Sequence, residues 1–194
     1  MRENHFFKLV SERRSVRKYN PVPVEREKLL ACLEAARLAP SACNAQPYKF
    51  IVVDAPDLKE KLAAAAFSGL YSSTGFAARA GALVAVVSQK GKLTAWLGNQ
   101  VRDTNFRLID IGIAAEHFVL AAEEQGLGTC WLGWFDAKGA AKALGRNREQ
   151  GNGNAAGQNR CSTSDQQRQM RELFRLHSMH VGLLQGLATG SART

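Results

Sequence analysis

The first 145 residues read as one domain that mixes α and β structure. Helically spaced apolar positions alternate along it with short β-branched runs. One of those runs, Ala82 to Ser88, is apolar almost throughout, as expected of a strand covered on both faces. The composition is ordinary for a globular chain, with 45% apolar and 22% charged residues among 194. A chain of that length buries a core without help from disulfides or metals.

The elements follow in order. Asn4 to Glu12 predicts a short helix, followed by the basic run Arg13-Arg14-Ser15-Val16-Arg17 and an extended connection at Pro21 and Pro23. Glu25 to Leu38 has helical apolar spacing with acids in its first turn. Pro40-Ser41-Ala42-Cys43-Asn44-Ala45-Gln46-Pro47 breaks that helix, and Tyr48 to Val53 is a strand. Asp57 to Ala66 and Tyr71 to Arg79 read as two short helices. Gln100 to Gln125 is the longest helical pattern. It is apolar nearly all round from Leu108 to Ala122, which places it in the core or a subunit interface. Gly126-Leu127-Gly128 ends it, Thr129 to Phe135 is a strand, and Asp136 caps a last helix to Leu144.

After Gly145 residue usage shifts. Residues 146–194 hold ten Asn or Gln against nine in the preceding 145, and seven Arg with no Lys against nine Arg and ten Lys. Gly151 to Ser164 reads as loop or disorder, and Gln167 to Leu176 as one amphipathic helix. Residues 146–194 are therefore expected to be an atypical tail, disordered or altered by a reading-frame change, without a hydrophobic strand.

No apolar run approaches membrane-spanning length, and the charged start lacks a signal-peptide core, so a cytoplasmic location is expected. Cys32, Cys43, Cys130 and Cys161 form no C-x-x-C pair and read as reduced thiols. The net charge of +9 suits nucleic acid, anionic lipid or a phosphorylated small molecule. No recognition helix or stacking motif accompanies it, which argues against nucleic acid. No Rossmann or P-loop glycine pattern, G-x-S-x-G or H-E-x-x-H occurs. His177 and His180 lack further ligands for a metal, and His117 reads as a core or interface histidine.

Two constellations carry chemistry. In an extended segment Arg13, Ser15 and Arg17 project to one side and can clamp a phosphate, with Arg14 beside them. The loop from Pro40 to Pro47 can present Ser41, Asn44 and Gln46 to a polar heterocycle. An R-R-S-x-R motif followed by a helix and then A-P-S-x-x-N-x-Q-P-x-x-F resembles the nitroreductase family of flavin-dependent oxidoreductases. The resemblance continues through Asp110-Ile111-Gly112-Ile113-Ala114-Ala115-Glu116 and Ala121 to Gly133 and spans about residues 5–145.

The resemblance implies an α+β fold with a central mixed sheet flanked by helices, in an interlocked homodimer with FMN at the subunit interface. It implies that Arg13, Arg14, Ser15 and Arg17 hold the phosphate and ring. Pro40, Ser41, Ala42 and Asn44, with Gln46 in the same motif, reach the flavin of the other subunit. Leu132 and Gly133 lie along its reactive face through their backbone. No protein side chain is then the catalytic acid or base: NADH or NADPH reduces the flavin, and a nitroaromatic, quinone or similar acceptor reoxidises it in ping-pong fashion. Flavin-destroying and dehalogenating relatives keep the same fold. Their lids exceed the short stretch between Phe67 and Gly98 here. A relative that has lost flavin binding through its altered tail, and a basic nucleic-acid binder, are the alternatives. Sequencing the source DNA around codon 145 is expected to show an open alternative frame encoding a hydrophobic strand.

Overall fold

The computed structural model describes residues 4–89, 105–145 and 181–189. Five α-helices lie among them: α1 (His5–Glu12), α2 (Arg26–Arg37), α3 (Pro56–Ala66), α4 (Phe106–Glu124) and α5 (Ala137–Ala143). The strands are β1 (Tyr48–Val53), β2 (Ala82–Ser88), β3 (Leu127–Leu132) and β4 (Val181–Thr189).

β2 organises the molecule because every one of its residues is buried. Its side chains alternate between two cores, as a pleated strand requires. Leu83, Ala85 and Val87 pack with Leu62, Ala66, Leu132 and Ala140, beneath α3 and α5. Ala82, Val84 and Val86 pack with Leu29, Cys32, Ala114 and Phe118, beneath α2 and α4. The Phe50 and Phe118 rings stack there with centroids 5.6 Å apart. The sheet is thus sandwiched between two helical layers, in the order β1-β2-β4-β3.

All three strand pairs are antiparallel. Among the described residues the sheet is thus antiparallel rather than mixed as expected, and one isolated parallel bridge joins Ser15 to Thr129 on β3. Helix ends follow local chemistry. Asp136 accepts the amides of Lys138 and Gly139, each at 2.9 Å, and caps α5. Gly126 ends α4 at φ 73°, a conformation that glycine adopts without steric cost.

Several expectations need correction. The helix expected at Tyr71 to Arg79 is a 3-10 helix and begins earlier, at Gly69. β3 begins at Leu127 and stops at Leu132, so Gly133 to Phe135 lie beyond the strand. The stretch after Gly145 does supply a strand: β4 pairs with both β2 and β3 and lies inside the sheet. Its sequence, Val-Gly-Leu-Leu-Gln-Gly-Leu-Ala-Thr, is a short apolar window whose signal is lost when residue usage is averaged over the Asn-, Gln- and Arg-rich residues around it. Residues 100–104, the loop at 151–164, the helix expected at 167–176, and His177 and His180 fall outside the described residues.

Gly128 sets how closely the basic segment approaches β3. A Cβ there would stand 2.8 Å from Val16 Cγ2 and 3.1 Å from its Cβ. Gly128→Ala is expected to cost about 1–3 kcal/mol through this overpacking, read as a lower urea midpoint with unchanged slope.

Candidate functional site

The basic segment is held by backbone pairing. Val16 donates its amide to Thr129 O at 2.8 Å and turns its side chain toward Gly128 and the core. Ser15 and Arg17, on the other side of the chain, are therefore exposed, and Arg13 is half-buried where α1 ends. Arg17 Nη1 lies 3.5 Å from Ser15 O. None of Arg13, Arg14 and Arg17 forms an ion pair among the described residues. Beyond β3, Leu132 is buried, whereas a side chain at Gly133 would meet no atom within 4 Å. The backbone lies open at that point.

The second constellation is a tight loop. Cys43, Asn44 and Gln46 have φ of 52°, 50° and 45°, a region L-residues enter at a cost. Ser41 O accepts the amide of Asn44 at 3.0 Å, and Ser41 Oγ accepts that of Gln46 at 3.0 Å. The Ser41 oxygen is thus engaged in shaping the loop, while Asn44 and Gln46 are exposed. Ala42 donates to Asp110 Oδ1 on α4 at 2.9 Å.

One chain does not bring these constellations together. The loop precedes β1 and the basic segment pairs with β3, the two outer strands of the sheet. Three strand spacings separate them, about 14 Å. They also meet opposite ends of α4: Asp110 holds Ala42, whereas Glu123 senses the charges of Arg13 and Arg14. The helical rise between Asp110 and Glu123 amounts to about 20 Å. Leu132 and Gly133 belong with the basic segment, at the end of β3.

The donor set nonetheless fits a flavin nucleotide in two complementary halves. Exposed guanidiniums and a hydroxyl suit its phosphate, and an open strand-end backbone with an amide-bearing loop suits its ring. Burial raises the Cys130 thiol above its ordinary range, against the opposing charge of Arg17, so it remains protonated and inert. Cys43 is exposed, so packing does not account for it. Trp131 packs against the α2/α4 core, and Trp134 is 59% exposed. The half-buried His117 sets Nδ1 3.3 Å from Ala35 O. Sequence reasoning assigned no role to Asp110 or Gly128. The signal for Asp110 was an acid within an apolar helical run.

The nitroreductase family model matches residues 10–151. This chain belongs to the nitroreductase family. It is 29% identical over 177 residues to YdgI of Bacillus subtilis, which bears the name of an NAD(P)H nitroreductase, covering 77% of this chain and 84% of YdgI. A nitroreductase family protein from Clostridium novyi superposes with a TM-score of 0.70 at 25% identity, over 97% of this chain and 86% of that one. An FMN-dependent nitroreductase from Clostridium difficile shares the fold, with a TM-score of 0.65 at 23% identity over 97% and 89% of the two chains.

Glu123 offers a test of the local electrostatics. Burial raises its carboxyl above the ordinary range, Glu12 adds to the shift, and Arg13 and Arg14 oppose it. A raised folded-state pKa favours folding below the unfolded value, and that contribution is lost as pH rises through the folded one. Glu123→Gln is therefore expected to raise the melting midpoint at neutral pH. The gain should vanish below about pH 4, checked by thermal scans across pH.

Proposed function

We propose that this chain is an FMN-dependent oxidoreductase. It passes hydride equivalents from NADH or NADPH to nitroaromatic, quinone or similar electron-poor acceptors in alternating half-reactions at one site. Membership of the nitroreductase family makes it an NAD(P)H-dependent enzyme of the nitroreductase type with FMN as cofactor. FMN supplies the redox chemistry, and the chain supplies position and shielding.

The separation of the two half-sites carries this reading. Each chain offers cations at one edge of the sheet and an amide-bearing loop at the other, so two copies complete two sites. Leu108 and Ile109 on α4, and Phe6, Phe7 and Val10 on α1, are exposed apolar residues that a second copy would cover. In the assigned roles Arg13, Arg14, Ser15 and Arg17 neutralise and orient the phosphate. Pro40, Ser41, Ala42, Asn44 and Gln46 reach the ring from the partner. The backbone of Leu132 and Gly133 lies along its face. No side-chain acid or base is assigned a step, and water supplies the protons that the reduced acceptor takes up.

The purified protein is expected to be yellow, to release FMN on denaturation, to bleach with NADH or NADPH and to give parallel initial-velocity lines. Arg17→Ala should weaken FMN binding about 10–100-fold, the loss of one charge-assisted hydrogen bond, as read by flavin fluorescence titration. Wild-type protein that takes up no added FMN would overturn the proposal in favour of a relative that has lost its cofactor.

A further inference from the structure

Asp110 is 3% exposed and is the buried ionisable carboxyl among the described residues; the other buried polar side chains there are Ser88 and Thr129. It stands in the apolar face of α4, beside Ile111 and Ala114. No cation pairs with it within salt-bridge distance among the described residues. Arg107, one turn earlier, keeps its Nε buried without a partner among them rather than on this carboxylate. An apolar side chain would pack in such a place at lower cost, so the oxygen has to be retained for what it accepts.

What it accepts is the amide of Ala42, at 2.9 Å. The loop that begins there holds Cys43, Asn44 and Gln46 at positive φ, a conformation that persists only where its surroundings enforce it. The bonds from Asn44 to Ser41 O, from Ala45 to Ala42 O and from Gln46 to Ser41 Oγ tie the loop to itself. The bond from Ala42 ties it to the body of the fold. The Tyr48 hydroxyl is buried without a partner among the described residues. Burial and, after it, the Asp110 charge push that phenol upward, so it stays protonated.

We propose that Asp110 is the positioning residue of the cofactor-facing loop, its buried carboxylate holding Ala42 so that Asn44 is offered at a fixed place to the flavin. The flavin part rests on the function proposed above; the anchoring of the loop does not.

Both are tested in the full-length protein by amide hydrogen exchange and FMN titration of the wild type, Asp110→Ala and Asp110→Asn. Asp110→Ala is expected to speed exchange at residues 42–46 and to weaken FMN binding, each about tenfold, with the amides of β1 and β2 unchanged. Asp110→Asn keeps an oxygen that can accept the same amide and should restore both to near wild type. A loss equal in the two variants, or unchanged exchange in Asp110→Ala, overturns the proposal.

Should Asp110→Ala fail to fold, Ala42→Pro removes the donor instead. Ser41, at φ −143° and ψ 154°, already has the extended conformation that a residue before proline requires. The same loosening at Asn44 and Ala45 is then expected, and its absence overturns the proposal. If the wild type binds no FMN, the functional reading fails and the exchange measurements alone decide the role of Asp110.

Discussion

The packing of α4 across one face of the sheet fixes the distance between the two constellations of the candidate site. Seven of its residues, from Asp110 to Ala122, are buried against α2 and the strands, so the helix cannot slide or roll without opening that core. Its first turns hold the loop through Asp110, and its last turn lies beside the arginines through Glu123. The helix therefore acts as a rigid spacer. Under the proposed function a flavin held by both constellations is shared between two copies, since about 20 Å of helix separates them within one chain.

On the opposite face of the sheet, the core beneath α3 and α5 fixes the end of β3. β3 ends at Leu132, whose burial pins the strand terminus, and the next residue is a glycine with open space where a side chain would begin. A planar group can approach the backbone there. Trp134 is held just beyond by its Nε1 on Leu70 O at 3.0 Å and by Thr74 Oγ1 on its own carbonyl at 2.8 Å. This corner is thus rigid although exposed.

Much of the fold is legible in the sequence because its signals are local. The run Ala82–Ser88, the acid-led helix before Pro40 and the cap at Asp136 each specify their element without reference to the rest of the chain. Tyr71 to Arg79 reads as a helix without its type, because apolar spacing alone does not distinguish a tight turn ladder from a looser one. β4 is hidden for a different reason: its nine residues sit in a polar region, and only pairing with β2 and β3 reveals them. At the candidate site the motif residues are visible in sequence, but their separation is tertiary. So is the reach from Asp110 to Ala42, across 68 positions of chain.

The placement of β4 between β2 and β3 bears on how the molecule comes into being. Among the described residues β3 has no sheet neighbour except β4 and the short bridge at Ser15. β2 waits for a partner almost a hundred positions further along. On the ribosome the outer half of the sheet cannot close until Val181–Thr189 have left the exit tunnel, and β2 and β3 meanwhile present unsatisfied edges. Sheet closure is then late and non-local, the kind of step that folds slowly.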